Sequence, residues 1–135
     1  DRVSIAQDGS VCVILNPKDT ATLRGRILYS FSLLQEDNMI CEITNNGGRI
    51  DNVYFCPQLK TVADNYRKPN PQMAYLAQKD FPEIDLSKSI MVGDMNSDVE
   101  FGRNAGMRTV FVGDNELIIT PDDKFENLYE FAKVL

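Results

Sequence analysis

Short apolar runs of strand length recur along the chain and are separated by polar or turn-forming residues. Such runs predict β-strands, because each is too short for a stable helix and is bounded by residues that favour turns. The runs are residues 3–6, 11–15, 39–43, 50–55, 89–92 and 109–112. Asp8-Gly9 separates the first two, and this dipeptide is typical of the turn in a β-hairpin. The chain is therefore predicted to open with a hairpin.

Other segments place their apolar residues three or four positions apart, which is the spacing of one helix face. They are residues 20–35, 71–79, 97–105 and 122–134. Gly106 directly follows the third segment, where glycine commonly ends a helix because it adopts the left-handed conformation without strain. Over the later part of the chain strands and helices alternate. This order predicts a parallel sheet with covering helices, an α/β fold.

Length and composition fit one compact domain. The chain has 135 residues, of which 43% are hydrophobic, and no linker-like or repeated segment divides it. Its formal net charge of −6 argues against binding to nucleic acid or to an anionic membrane. No apolar run reaches the roughly 18 residues of a membrane span, and no signal-like segment opens the chain. The sequence therefore predicts a cytoplasmic protein with a single domain, residues 1–135, and it does not indicate an oligomeric state.

The chain contains no histidine. This excludes the serine–histidine and cysteine–histidine pairs of many hydrolases, and it removes the commonest zinc ligand and general base. The three cysteines, Cys12, Cys41 and Cys56, lie far apart in apolar stretches, which favours core packing over a reactive thiol. Candidate chemistry therefore depends on carboxylates, hydroxyls, amides and cations.

Two aspartates follow the predicted strand 89–92. Asp94 lies at the carboxyl end of that strand, where ligands of open parallel sheets bind. Asp98 comes one helical turn later, so both carboxylates can face one crevice. Two hard oxygen donors suit Mg²⁺ if a phosphate and waters complete the coordination shell. The alternative is structural, with Asp94 capping the following helix and Asp98 a solvated acid in its first turn.

Two further clusters could hold a phosphate. Lys68 is followed by the stiff Pro69-Asn70-Pro71, which restrains the lysine and suits a fixed charge aimed at a phosphate. Thr44-Asn45 follows the predicted strand 39–43, where a hydroxyl and backbone N–H groups can bind phosphate oxygens. Each cluster also has an ordinary interpretation, as a solvated basic loop and as a simple turn.

These motifs occur in a definite order along the chain. They are Thr44 to Gly48, Tyr54 to Pro57, Arg67 to Pro71, Met91 to Asp94 with Asp98, and Ala105-Gly106. In this order they resemble the haloacid dehalogenase superfamily, in the branch of the histidinol-phosphate and heptose-bisphosphate phosphatases. The resemblance covers residues 39–112 and is strongest after Tyr54. It implies a Rossmann-like parallel-sheet core that is atypical at the amino terminus, and a small phosphorylated metabolite as the substrate.

The resemblance also implies roles for individual residues. Thr44 and Asn45 would bind the transferring phosphate and the substrate, and Arg67 would contact the substrate. Lys68 would bind the phosphate and balance charge between it and the nucleophile, which makes Lys68 a candidate catalytic residue. The phosphate would be that of a sugar phosphate or of histidinol phosphate.

The cofactor implied by the resemblance is Mg²⁺, with Asp94 as a ligand and Asp98 beside it, bound directly or through water. Without substrate phosphate most of the coordination shell is water, so binding is expected to be weak, on the order of millimolar. Many members of this branch also bind zinc through a Cys/His loop ahead of the Arg-Lys-Pro motif. Here Cys56 is alone and Gln58 stands where a histidine would be. One thiolate cannot make a structural zinc site, so no zinc is expected.

The family opens with a strand that ends in Asp-x-Asp, in which the first aspartate attacks phosphorus and the second acts as general acid and base. No two aspartates of this chain are two positions apart. One alignment places Asp8 at the acid/base position and Ala6 at the nucleophile position. Another starts at Asp1 and places Val3 where the second acid should be. Neither alignment restores both acids, and the hairpin interpretation of Asp8-Gly9 competes with both.

The spacing of the motifs departs from the family as well. Only residues 47–53 separate the Thr-Asn motif from the Tyr-x-Cys-Pro strand, too few for the helix that the family has there. The chain has either lost segments or is a degenerate member. We expect a Mg²⁺-dependent phosphate monoester hydrolase by family, inactive or nearly so because the nucleophile motif is absent. The alternative is a non-catalytic relative that binds phosphate or serves in assembly.

Overall fold

The computed structural model describes residues 10–15, 27–32, 45, 50–56, 61 and 65–135 of the chain. The strands within these ranges are β1 (Ser10–Leu15), β2 (Ile27–Ser32), β3 (Ile50–Phe55), β4 (Ile90–Gly93), β5 (Arg108–Val112) and β6 (Asp123–Phe125). The helices described in full are α1 (Gln72–Asp80), α2 (Asn96–Asn104) and α3 (Leu128–Ala132), with a 3₁₀ turn at Leu86–Lys88. The described strands form one sheet in the order β3-β1-β2-β4-β5-β6.

Strands β2, β4, β5 and β6 run parallel, each paired with the next. All four residues of β4 are buried, and only Arg108 of β5 is exposed. Burial on both faces is the usual state of parallel strands and agrees with the continuous apolar sequence of these two. The predicted α/β class and the parallel pairing of residues 89–92 with 109–112 are confirmed. Residues 39–43, predicted to join the same sheet, lie outside the described part of the chain.

The other side of the sheet is antiparallel. Strand β1 pairs with β2 on one side and with β3 on the other, and its register with β3 shifts between Ile14 and Leu15. The strands predicted at residues 11–15 and 50–55 are confirmed. The first strand and the turn of the predicted hairpin fall in residues 1–9, which lie outside the described ranges. The sheet is therefore mixed, with an antiparallel addition to a parallel core.

The helix predicted over residues 20–35 is wrong, because the described part of that segment is the strand β2. Its sequence Ile-Leu-Tyr-Ser-Phe-Ser combines β-branched and aromatic residues, which fit a pleated sheet. Short apolar segments can satisfy the helical and the strand period at once. Pairing with both β1 and β4 decides the outcome, and that pairing is a tertiary feature.

The helix predicted over residues 122–134 is wrong in its first part. Asp123–Phe125 forms β6, and α3 begins only after Asn127, whose side chain caps it. Asp122 attaches this segment to the sheet, because its Oδ2 accepts the backbone N–H and the hydroxyl of Thr109 at 2.7 and 2.8 Å. The same hydrogen bonds hold the pKa of the Asp122 carboxyl below its usual value. Contacts with a distant residue therefore override the local helical pattern.

The core has one cluster on each face of the sheet, because successive residues of a strand point to opposite faces. Met91 of β4 belongs to the cluster that also contains Met73, Ala74 and Ala77 of α1 and Phe101 of α2. Its neighbours Ile90 and Val92 belong to the other cluster, with Val110, Val112 and Phe131. Helices α1 and α2 thus cover one face of the parallel core, and α3 covers the other.

The helices predicted at residues 71–79 and 97–105 are confirmed, each displaced by one residue. Gly106 follows α2 with φ of 76°, as predicted for the residue that ends a helix. Its N–H donates to the Arg103 carbonyl oxygen at 3.0 Å, and the N–H of Met107 donates to that of Gly102 at 2.8 Å. Among the helices that the structure describes, none is long and apolar enough to cross a membrane.

Candidate functional site

The carboxyl ends of the parallel strands lie along one edge of the sheet. Strands β2, β4, β5 and β6 share one direction, and β3 shares it too because both β2 and β3 are antiparallel to β1. Ligands of open α/β sheets bind outside the carboxyl ends of the strands. The segments that leave this edge include the loop after β3 that carries Lys68 and the turn after β4 that carries Asp94. These segments form the candidate site.

Asp98 lies in the first turn of α2 and is only 1% exposed. Its Oδ2 accepts the backbone N–H of Met95 at 3.1 Å. This contact stabilises the start of the helix, because the N–H has no acceptor within the helix and a negative charge complements the helix dipole. Gly93 makes room for the carboxylate, since a β-carbon there would lie 2.3 Å from Asp98 Oδ2. The glycine before Asp94 is therefore required by the close approach of Asp98.

The loop that carries Lys68 is shaped by asparagine side chains. Oδ1 of Asn65 accepts the backbone N–H of Arg67 at 2.9 Å, which forms a tight turn just ahead of the lysine. On the other side of Lys68, the carbonyl oxygen of Pro69 accepts a hydrogen bond from Nδ2 of Asn104 at 3.0 Å. Asn104 is the last residue of α2, so this bond ties the loop to the helix that carries Asp98.

Lys68 and Asp98 form an ion pair between the lysine Nζ and the carboxylate Oδ1. The side chains are 8% and 1% exposed, so both charges are almost fully removed from water. Removing one member of such a pair leaves an uncompensated buried charge, which is strongly destabilising. Because Oδ2 already accepts the Met95 N–H, both oxygens of Asp98 are engaged. The pair holds the lysine ammonium at a fixed position beside the carboxyl edge.

Asp94 has a different environment. It is exposed at the end of β4, and among the described residues no donor or cation contacts its carboxylate. An accessible carboxylate is a suitable ligand for Mg²⁺, which usually binds one or two carboxylates together with waters and substrate phosphates. Within the described ranges, no cluster of three or more acidic or cysteine side chains could hold a metal by itself. Asp94 therefore fits a metal that is shared with a phosphate, whereas each oxygen of Asp98 already accepts one hydrogen bond.

The structure brings Lys68 and Asp98 into contact and places Asp94 just ahead of the same helix. Arg67 is half-buried directly before Lys68, and Asn45 is helical and exposed. Thr44 and Asp8 lie outside the described residues. The roles predicted for these residues as substrate ligands, metal ligands or catalytic groups stay predictions.

Tyr54 is a residue of this region that the sequence did not single out for its contacts. It is 9% exposed, and its hydroxyl donates to Oδ2 of Asp80 at 2.6 Å. The bond joins β3 to the end of α1, the two elements that flank the loop of Lys68. Burial, and then the hydrogen bond to Asp80, raise the pKa of Tyr54 well above its usual value. The apolar character of the strand gave no indication of this partner, which is 26 positions away.

Two asparagines, Asn96 and Asn115, were also missed. They join the loop that follows β5 to the turn of Asp94. Asparagine in a loop predicts a turn in general terms. It does not identify which distant backbone group the side chain will bond.

Comparisons with known proteins agree with these motifs. Residues 65–126 match the HAD-hydrolase-like family. A D-glycero-alpha-D-manno-heptose-1,7-bisphosphate 7-phosphatase of Burkholderia mallei is 42% identical over 73 residues, covering 49% of this chain and 38% of that protein. A D-glycero-beta-D-manno-heptose-1,7-bisphosphate 7-phosphatase of Vibrio cholerae is 38% identical over 105 residues, covering 72% of this chain and 55% of that protein.

A more distant relative aligns over more of the chain. The D-glycero-D-manno-heptose-1,7-bisphosphate 7-phosphatase of Chlorobaculum tepidum is 26% identical over 149 residues, covering 96% of this chain and 75% of that protein. The chain thus spans well under two thirds of the length of the more similar relatives. The identity is concentrated in about half of the chain.

Proposed function

From the premise that this chain belongs to the haloacid dehalogenase superfamily, in its heptose-bisphosphate phosphatase branch, we propose that it is a phosphatase-type domain that binds a sugar phosphate. The single observation that supports the activity is the buried Lys68–Asp98 pair beside the accessible carboxylate of Asp94. This arrangement supplies a fixed cation and a metal ligand at the edge where α/β proteins bind ligands. The relatives named heptose-bisphosphate phosphatases support the choice of a sugar phosphate.

Lys68 is the proposed phosphate ligand. Its ammonium is anchored by a carboxylate that is itself fixed by the start of α2, so little reorganisation is needed when a dianionic phosphate arrives. Preorganised charges in a partly dry site stabilise a developing negative charge better than mobile charges in water. Asp98 is therefore a positioning residue for Lys68 in this proposal.

Asp94 is the proposed ligand of Mg²⁺. When bound, Mg²⁺ would neutralise charge on the phosphate oxygens. Asp94 would hold the cation with one or both of its exposed oxygens, and the phosphate and waters would supply the rest of the shell. Asp98, predicted beside the metal either directly or through water, contacts Lys68, and its role toward the metal stays a prediction.

The nucleophile is the part of the family's chemistry for which the chain has no evident residue. The parallel neighbour of β4 is β2, and its sequence Ile-Leu-Tyr-Ser-Phe-Ser contains no acid. The parallel register runs from Ile27 opposite Ile90 to Tyr29 opposite Val92, two positions before Asp94. We therefore propose that the 135-residue chain binds a phosphate but does not turn it over at a measurable rate.

Phosphate binding tests the site. We would compare the wild-type chain with Lys68→Met/Asp98→Asn, a double variant that removes both buried charges and leaves neither unpaired. The matched control is Lys88→Met/Asp85→Asn, which removes an exposed lysine–aspartate pair of 3.3 Å with the same change in charge. Binding of orthophosphate and of a hexose phosphate would be followed by ³¹P NMR in the presence of Mg²⁺.

We expect the site variant to weaken binding by about tenfold or more, which corresponds to the loss of a charge-assisted hydrogen bond. The control should bind as the wild type does, because the Asp85–Lys88 pair precedes the amino end of β4. Equal binding by all three proteins would refute the assignment of Lys68 to phosphate.

A further inference from the structure

Two asparagine side chains fasten the loop after β5 to the turn that carries Asp94. Asn115 donates from Nδ2 to the backbone carbonyl oxygen of Asp94 at 2.9 Å. Asn96, the first residue of α2, accepts the N–H of Ile118 on Oδ1 at 2.8 Å and donates from Nδ2 to the Glu116 carbonyl oxygen at 2.9 Å. We refer to Asn96 and Asn115 together as the asparagine clasp. Asn115 bonds from the loop to the turn, and Asn96 bonds from the helix to the loop.

The asparagine clasp contacts Asp94 through its backbone. The carboxylate of this residue is exposed, and no contact to it occurs within the part of the chain that the structure describes. The point from which the side chain projects is therefore set by the backbone of the turn, and Asn115 bonds the carbonyl group of that same residue. The loop reaches Asp94 through Gly113, which has φ of 112° and whose β-carbon position lies 4.0 Å from Cβ of Asp94.

We propose that Asn115 and Asn96 are positioning residues that hold Asp94 ready to bind a divalent cation. The inference rests on the proposed function, in which Asp94 is the metal ligand. A ligand that is already ordered does not lose conformational entropy when the cation binds, and supporting hydrogen bonds provide that order. Outer partners of this kind affect metal affinity even though they never touch the metal.

The test uses Mn²⁺ as a spectroscopic substitute for Mg²⁺, titrated into the 135-residue chain with orthophosphate at a fixed concentration and followed by the electron paramagnetic resonance signal of the free ion. The variants are Asn115→Ala, Asn96→Ala and Asp94→Asn. The matched control is Asn127→Ala, which removes another exposed asparagine whose side chain bonds the backbone, here at the start of α3. Asn127 follows β6, two strands away from Asp94 in the sheet.

We expect Asn115→Ala and Asn96→Ala each to weaken Mn²⁺ binding by about threefold to tenfold, the effect of one or two hydrogen bonds. Their combination should weaken it by less than the product of the single effects, because both act on one loop. Asn127→Ala should leave the affinity unchanged although it lowers the melting temperature through loss of a helix cap. If the clasp only stabilised the fold, Asn127→Ala would weaken Mn²⁺ binding along with its loss of melting temperature, as the clasp variants do.

Failure of this inference is distinguishable from failure of the proposed function. If Asp94→Asn abolishes Mn²⁺ binding while Asn115→Ala and Asn96→Ala bind as the wild type does, the clasp is not a positioning device and Asp94 keeps its role. If Asp94→Asn binds as the wild type does, or the wild type itself does not bind, the metal site is wrong and the clasp has nothing to position. If Asn127→Ala weakens Mn²⁺ binding as much as the clasp variants do, the effect is a general loss of stability and the inference is overturned.

Discussion

Side chains of the candidate site are held by partners that are far away in the sequence. Lys68 meets Asp98 30 positions later, and Tyr54 meets Asp80 26 positions later. The Lys68–Asp98 pair is almost fully shielded from water, so it carries more weight than a surface pair such as Asp85–Lys88. Tyr54 is buried, whereas its partner Asp80 is exposed. At the scale of single residues, one polar contact thus holds Lys68 itself, and another joins the two elements that flank its loop.

The hydrogen bond of Tyr54 predicts a dependence of stability on alkaline pH. Burial and Asp80 raise the pKa of Tyr54 in the folded protein, whereas in the unfolded chain the phenol titrates near about 10. As the pH rises, the unfolded state therefore loses the Tyr54 proton before the folded state does. The contribution of Tyr54 to the free energy of unfolding is full below about pH 10 and declines as the pH rises further. Tyr54→Phe should flatten this decline in urea unfolding midpoints measured from about pH 8 to pH 11.

The matched control for that measurement is Tyr129→Phe, since Tyr129 is 70% exposed. Its substitution should leave the alkaline decline in the unfolding midpoint as steep as in the wild type. A decline of the same steepness in Tyr54→Phe would contradict the prediction.

At the scale of elements, α2 connects most of the site. Its first turn contains Asp98, its last residue Asn104 bonds the Lys68 loop, and Gly106 follows its end. Because its first turn follows β4 and its last turn leads into β5, a displacement of this helix would move Asp98 relative to the sheet. The two ends of α2 therefore affect the geometry of the site as well as the stability of the fold.

The end of α2 supports a prediction about stability. A β-carbon at Gly106 would meet no atom within 4 Å, so the cost of Gly106→Ala is purely that of the left-handed backbone, about 1 kcal/mol. Gly106→Asn should cost less, because asparagine tolerates this conformation better. The free energies would come from urea unfolding followed by circular dichroism.

Gly102→Ala gives a contrasting case in the same helix. Its β-carbon would lie 2.7 Å from Cγ2 of Thr109 and 2.8 Å from Cβ of Met91, so steric overlap is added. This variant should lose more stability than Gly106→Ala. The reverse order would mean that backbone conformation at Gly106 matters more than packing of α2 on the sheet.

At the scale of the whole molecule, the parallel core and the antiparallel addition differ in what they contribute. The core from β4 to β6 carries Asp94, Asp98 and the clasp, and the family match covers residues 65–126. Strands β1 and β2 complete the sheet beside β4 without placing an acid in the strand next to Asp94. In the proposed function, the core from β4 to β6 thus supplies Asp94 for the metal, the loop after β3 supplies Lys68 for the phosphate, and β2 supplies no acid beside them.

A turnover assay checks the consequence for activity. With Mg²⁺ present, the 135-residue chain should hydrolyse p-nitrophenyl phosphate or a sugar phosphate no faster than buffer, because the covalent step lacks its aspartate. Asp94→Ala is the control for any residual rate. Activity well above background that disappears in Asp94→Ala would show that a nucleophile exists. Asp8→Asn and then Asp1→Asn would be the variants to identify it.

The local sequence determined the elements whose patterns admit one interpretation. The apolar runs at residues 89–92 and 109–112 are short, continuous and bounded by polar or turn residues, which favours buried strands, and Gly106 marks the end of the helix between them. The family motifs around Lys68 and Asp94 were also recognisable locally, because they are short runs of residues in a fixed order. For these positions, neighbours within a few residues carry the information.

Only the tertiary structure decided which partners the site residues have. The spacing of Asp94 and Asp98 fitted two metal ligands, but the fold brings Lys68 against Asp98 and leaves Asp94 accessible. In the same way, Ile27–Ser32 is a strand because it pairs with β4, and Asp122 lies against the sheet because it accepts the N–H of Thr109. The physical reason is that periodicity reports on neighbours three or four positions apart. Sheet order and buried charge pairing join residues separated by ten or more positions, and no local pattern encodes them.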